Sequence, residues 1–133
     1  ITKLPVEQGF AMTGAIDQLG NVLPIGAVNE KIEGFYDTCQ GQDSTPCSQG
    51  VIIPHANAGD LMLRHDVVEA CERGDFRIYA VGHITEAISL FFGREAGALD
   101  DQGNYPEDSV LGIATQRVRT LWEQAAPASA RGK

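Results

Sequence analysis

The chain has 133 residues, of which 43% are hydrophobic and 21% charged, and it carries a net charge of -8. That length is one domain's worth of material, and the balance is that of a globular chain rather than a disordered one or a membrane span. Lysine and arginine cluster nowhere in the sequence, which argues against the phosphate-neutralising surface that nucleic-acid binding requires.

The opening stretch, Ile1 to Phe10, lacks both the apolar core of a signal peptide and an initiating methionine, so the chain reads as a piece of something longer. Apolar runs then flank the polar stretch Asp17-Gln-Leu-Gly-Asn21. They predict a β-hairpin of about 10–14 and 22–25, with Gly20 supplying a positive φ. An amphipathic helix follows over 28–40, with Ile32, Phe35, Tyr36 and Cys39 on one apolar stripe. Residues 41–50 are loop by composition. Val51-Ile-Ile-Pro54 is a wholly apolar run that suits a strand buried on both faces.

Asn57 reads as a helix N-cap with Asp60 in the first turn. Asp66 reads as the cap of a second helix, with Glu69 three positions on and Gly74 as its stop. Residues 76–81 alternate as a strand. A helix then carries Ile84, Ile88 and Phe91 on one face and ends at Gly93. An acidic, glycine-containing linker over 94–108 leads to a last helix over about 108–125. There Val110, Leu111, Ala114, Val118, Leu121 and Trp122 share a stripe, and 127–133 should fray as a disordered tail. Helices alternating with short apolar strands give a mixed α/β arrangement, a small sheet with packed helices, whose edge expects partners from outside the segment.

The odd cysteine count, Cys39, Cys47 and Cys71 without a CxxC pair, reads as reduced thiols of a cytoplasmic chain. Cys39 and Cys47 bracket a loop and would bridge only under oxidation. His55, His65 and His83 lie at no metal-ligand spacing and read as local surface histidines. Neither a phosphate-cradling glycine loop nor a GxSxG elbow is present.

Lys31 remains, at the entrance of the first helix between Glu30 and Glu33 and bordering the apolar stripe. One reading is a solvated surface charge. The other is a buried amine that acts as a base, which requires desolvation worth roughly 4–5 kcal/mol to bring its pKa from about 10.4 to about 7. A hydroxyl such as that of Thr13 would then hold the amine, as in Ser-Lys enzymes that need no histidine.

The segments AMTGAIDQLGNVLPIGAVNEKIEGFYDTC and QGVIIPHANAGDLMLRHDVVEACERGDFRIYAV resemble the peptidase domain of Lon-type ATP-dependent serine proteases, closest to the LonB-like branch. The likeness runs from about Leu4 to Trp122. Its specific core is T-G … G-x-V/L-x-P-I-G-G-V-x-x-K-I-E followed by V-I-I-P-x-x-N. By that resemblance the chain is the C-terminal portion, 1–126, of a mixed α/β proteolytic domain that hydrolyses peptide bonds with a Ser-Lys dyad. Lys31 falls on the catalytic lysine and Thr13 on the supporting threonine, while Asn57 falls in the P-x-x-N segment as a structural cap. The family's second glycine is Ala27 here.

The resemblance places the nucleophilic serine upstream of Ile1, and none of Ser44, Ser48, Ser89, Ser109 or Ser129 stands in a matching motif. It implies protein or peptide substrates, a homo-oligomeric hexameric ring, and association with the upstream part of the same domain. Neither nucleic acid nor membrane is an expected partner. No cofactor is expected in this segment, with ATP and Mg belonging to a separate AAA+ module. The isolated chain is expected to be inactive. A non-catalytic, peptide-binding ring component is the alternative, and a free-standing acidic adaptor unrelated to proteolysis is a third reading.

Overall fold

The structure, a computed structural model, describes residues 1–40 and 49–125. Contacts divide the chain into two compact units, Glu7–Ala87, and Ile1–Val6 together with Ile88–Lys133.

The unit of residues 7–87 is built on a three-stranded parallel sheet of β1 (Phe10–Met12), β4 (Gln49–Pro54) and β5 (Phe76–Val81), in the order β1-β4-β5. A separate antiparallel pair joins β2 (Ala15–Ile16) to β3 (Val22–Leu23). Helices α1 (Val28–Gln40) and α2 (His65–Arg73) cover the parallel sheet. β4 is the central strand, hydrogen-bonded on both edges, and Gly50 to Pro54 are all buried. A strand enclosed in this way has no solvent face to carry polar residues, which is why it reads as an unbroken apolar run.

The core gathers Val28, Ile32 and Tyr36 of α1, Val51 and Ile53 of β4, Val67 and Ala70 of α2, and Phe76 of β5. Phe76 meets Tyr36 edge-on at 5.3 Å and Phe35 at 6.3 Å. The large apolar side chains fully buried here, Ile32, Ile53, Val67 and Phe76, each contribute about 1.5–3 kcal/mol by leaving water.

The predicted hairpin is displaced. Phe10–Met12 does not pair with 22–25. It runs parallel to β4, Phe10 opposite Gly50, and the ladder continues as Thr13 N–H donates to Ile52 O at 3.0 Å. The reversal begins only at Ala15, which pairs with Leu23. An apolar run shows that a strand exists and does not reveal which partner it takes. Gly20 is in the left-handed region as expected, with φ 90°. Gln49 and Gly50, read as loop, belong to β4, whereas the rest of that loop and Cys47 lie outside the described residues.

Asn57 is not an N-cap. It is buried inside a short 3-10 helix, His55–Asp60, whose cap position is Pro54. Asp66 is not the cap of α2 either, since Arg64 holds that place and its carbonyl accepts the N–H groups of Val67 and Val68 at 3.1 Å. Asp66 turns instead to the Arg64 guanidinium, 2.9 Å away, which also meets Asp37 at 2.6 Å. Hydrogen bonding to Arg64 holds both carboxyls below the usual aspartate range and raises the arginine in turn. Gly74 ends α2 in left-handed backbone, its N–H donating to Ala70 and Cys71 carbonyls.

The segment between the 3-10 helix and α2 docks on α1 through a polar stripe at helical spacing, Asn29, Glu33 and Asp37. Asn29 donates to Asp60 O (3.1 Å) and accepts from Met62 N–H (2.8 Å), while Glu33 accepts from Arg64 N–H (2.9 Å). Hydrogen bonds therefore seat a stretch that forms no helix or strand of its own.

Helix α3 (Ile84–Phe92) begins in this unit, with Ala87 fully buried and Ile84, Ile88 and Phe91 only partly so. In the second unit, residues 94–108 form no regular element. Asp100 closes a turn there by accepting the N–H groups of Gln102 (2.9 Å) and Asn104 (2.8 Å). Ser109 caps α4 (Val110–Ala125), its Oγ accepting Gly112 N–H at 3.1 Å. The expected apolar stripe of α4 is buried only at its start. Val110 is 4% exposed, whereas Val118, Leu121 and Trp122 are 49%, 42% and 76% exposed. Periodicity marks an apolar face and carries no information on whether anything covers it. The predicted frayed tail lies outside the described residues. Among the described residues no helix is long and apolar enough to cross a membrane.

Candidate functional site

The lysine lies just past a turn that the Asn57 side chain holds in shape. β3 ends at Leu23, and Pro24 to Ala27 carry the chain into α1. Asn57, 4% exposed, faces this turn from the end of β4. Its Oδ1 accepts Ile25 N–H at 3.0 Å and its Nδ2 donates to Ile25 O at 3.1 Å and to Asp60 Oδ2 at 3.0 Å. The amide thus serves Ile25 as a neighbouring strand would, satisfying both main-chain groups at once.

Ala27 completes the turn with φ 57°, in the left-handed region. There a Cβ crowds the following carbonyl at a cost of roughly 1–2 kcal/mol, which explains why the family pattern has glycine at this place. Ala27→Gly is expected to stabilise the fold by roughly 0.5–1 kcal/mol once the added freedom of the unfolded chain is subtracted. The readout is a rise of about 3 °C in the thermal unfolding midpoint.

Lys31 N–H closes the first turn of α1 on Ala27 O at 3.2 Å, and its Nζ folds back to donate to Gly26 O, also at 3.2 Å. Helical side chains lean toward the N-terminus, so a lysine in the first turn reaches the carbonyls of the approach. The expected burial is not observed, because the Lys31 side chain is exposed. The buried stripe of α1 is Val28, Ile32 and Tyr36, and Lys31 stands about 100° round from Ile32, off that stripe. Thr13 lies half-buried at the end of β1, and among the described residues its hydroxyl makes no hydrogen bond to Lys31. The amine is held by the Gly26 carbonyl instead.

The other candidate groups are occupied structurally. Ser89 Oγ accepts Ala96 N–H at 3.0 Å and Ser109 caps α4. Ser44, Ser48 and Ser129 lie outside the described residues. Burial pushes the thiols of Cys39 and Cys71 up, away from the reactive thiolate form. Among the described residues no group of three or more His, Cys, Asp or Glu side chains could hold a metal ion.

His83 is more than a surface histidine. Its ring bridges Thr85 Oγ1 at 2.8 Å and Leu19 O at 3.0 Å. Spacing gave no sign of this contact or of the clamp at Asn57, since both join residues far apart in sequence. A polar residue three positions after a fully apolar strand was the available signal for Asn57.

Comparison with known proteins agrees with this frame. The family model of the Lon protease (S16) C-terminal proteolytic domain matches residues 1–93. A Lon protease homolog of Escherichia coli is 47% identical over 90 residues, covering 68% of this chain and 15% of that protein. One from Haemophilus influenzae is 45% identical over 107 residues, covering 80% of this chain and 17% of its own length. An archaeal Lon protease of Halobacterium salinarum is 37% identical over 90 residues, which is 68% of this chain and 11% of that protein. This chain therefore spans less than a fifth of the length of these relatives. With the matched region taking in the hairpin, the clamped turn, Lys31 and the whole parallel sheet, the chain belongs to the Lon protease C-terminal proteolytic domain family.

Proposed function

We propose that this chain is the C-terminal part of the proteolytic domain of a Lon-like serine endopeptidase. In it Lys31 is the base of a Ser-Lys dyad whose serine lies on residues upstream of Ile1. The observation that carries this reading is the Lys31 amine, turned back onto Gly26 O at 3.2 Å beside a turn that Asn57 clamps. The upstream part of the same domain covers the amine and removes water from it, which supplies the desolvation that an exposed side chain lacks.

A neutral amine has one lone pair. With one of its N–H groups donated to Gly26 O, the pair is free to accept the serine proton as the hydroxyl attacks the scissile carbonyl. The resulting ammonium returns that proton to the leaving amine. Thr13 supports the lysine from the end of β1 in the assembled domain, so Thr13→Val weakens turnover without abolishing it. The parent protein is a cytoplasmic homo-oligomer, a hexameric ring, fed with unfolded polypeptide by an AAA+ module that binds ATP and Mg. A non-catalytic ring component is the second reading, favoured by the exposure of Lys31 in the described residues.

Labelling with an active-site-directed serine reagent tests this directly. The full-length protein is expected to degrade an unfolded protein and to be labelled at one serine upstream of Ile1, while the isolated chain does neither. Single-site labelling at Ser89 or Ser109 would overturn the assignment.

A further inference from the structure

We infer that His83 is a positioning residue that latches the β2–β3 hairpin, and through it the turn that carries Lys31. This inference rests on the protease reading above. The hairpin tip closes on itself through Asp17, whose Oδ1 accepts Leu19 N–H (2.9 Å) and Asn21 N–H (2.8 Å). It is then bound to the segment between β5 and α3 at several points. Val22 N–H donates to Gly82 O (2.8 Å), Ile84 N–H donates to Gly20 O (2.9 Å), and Asn21 forms an antiparallel bridge with His83.

The imidazole completes the contact. Thr85 N–H donates to Nδ1 at 3.3 Å, so Nδ1 is the unprotonated nitrogen and Nε2–H donates to Leu19 O at 3.0 Å. Gly20 is shaped to this ring, since a Cβ there would lie 2.5 Å from His83 Nε2. The chain from Leu19 to Ala27 is thereby fixed at its tip by His83, along β3 by Gly82, and at Ile25 by Asn57. Beyond those fixed points comes Gly26, whose carbonyl holds the lysine amine.

Two substitutions separate the latch from a merely local role at the start of α3. His83→Gln keeps an N–H at the Nε2 position for Leu19 O, whereas His83→Asn keeps an acceptor at the Nδ1 position for Thr85 and gives up Leu19. In the full-length protein, His83→Asn is expected to speed amide hydrogen exchange across residues 15–27 about tenfold. It should also lower kcat on a fluorogenic peptide about tenfold, with KM within twofold. His83→Gln should stay within threefold of the parent in both readouts. The inference is overturned if His83→Asn leaves exchange or kcat unchanged, the outcome that a purely helix-start role predicts, or if His83→Gln fails as badly as His83→Asn, since the Leu19 contact that Gln keeps would then not be what matters. A parent enzyme that cleaves nothing sinks the protease reading rather than the latch, which the exchange pattern alone then decides.

Discussion

Lys31→Ala in the full-length protein is expected to lower the rate of peptide hydrolysis at saturating substrate by about 10³-fold or more, with folding intact. In the isolated chain, where the side chain is exposed and gives up a single hydrogen bond, to Gly26 O, the stability change should stay within about 0.5 kcal/mol. The loss is therefore chemical. Lys31→Arg makes the argument sharper, because it retains a positive charge and a donor for Gly26 O yet cannot give up a proton at working pH. It should be as inactive as alanine. A Lys31→Ala protein that hydrolyses peptide at near-normal rates would rule out the dyad, and a Lys31→Arg protein that works would make the residue a charge rather than a base.

Asn57→Leu should be the most damaging single change to the frame around that lysine. The substitution has the same branched shape, though its methyl groups are bulkier, and it removes the partners of Ile25 N–H, Ile25 O and Asp60 Oδ2 together. A buried group left without its hydrogen bond costs about 1–3 kcal/mol, and Ile25 is only half-buried, so water recovers part of the loss. The expected destabilisation is about 2–3 kcal/mol, read as a lower urea midpoint with unchanged slope. Asn57→Asp retains the acceptor for Ile25 N–H but sets a carboxylate against Ile25 O and Asp60. It should also be destabilised at neutral pH and recover partly on acidification, as protonation returns a donor. Variants of Asn57 within about 0.5 kcal/mol of the parent would show that the clamp is dispensable.

What the sequence discloses here follows the range of each interaction. Helix α1 begins at Val28 as expected and runs through the described residues to Gln40, because its signal is a local periodicity. The buried strand ending at Pro54, the alternating strand Phe76–Val81 and the stops at Gly74 and Gly93 are local in the same sense. The partner of Phe10–Met12 was not legible, since nothing in three apolar residues distinguishes a parallel neighbour far along the chain from an antiparallel one nearby. The site divides in the same way. Lys31 could be singled out, and its place at the helix entrance follows from spacing. Its exposure depends on what covers that side of α1, which no periodicity encodes. Asn57 looked like a cap because asparagine before a helix usually is one. Its actual work is done on Ile25, across a distance in sequence over which capping patterns say nothing.

The parallel sheet has a further consequence, for the order in which the molecule can assemble. Every pairing in it is parallel and spans a long crossover, with Phe10 waiting for Gly50 and Gly50 for Arg77, so no two neighbouring strands of the sheet can zip up across a short turn. During synthesis β1 leaves the ribosome long before β4 exists, and β4 remains an exposed, uncharged apolar ribbon until β5 arrives. Such topologies close slowly because loop entropy must be overcome before any contact rewards it. The early hairpin, whose two strands are close in sequence, is then the natural first β structure of the nascent polypeptide.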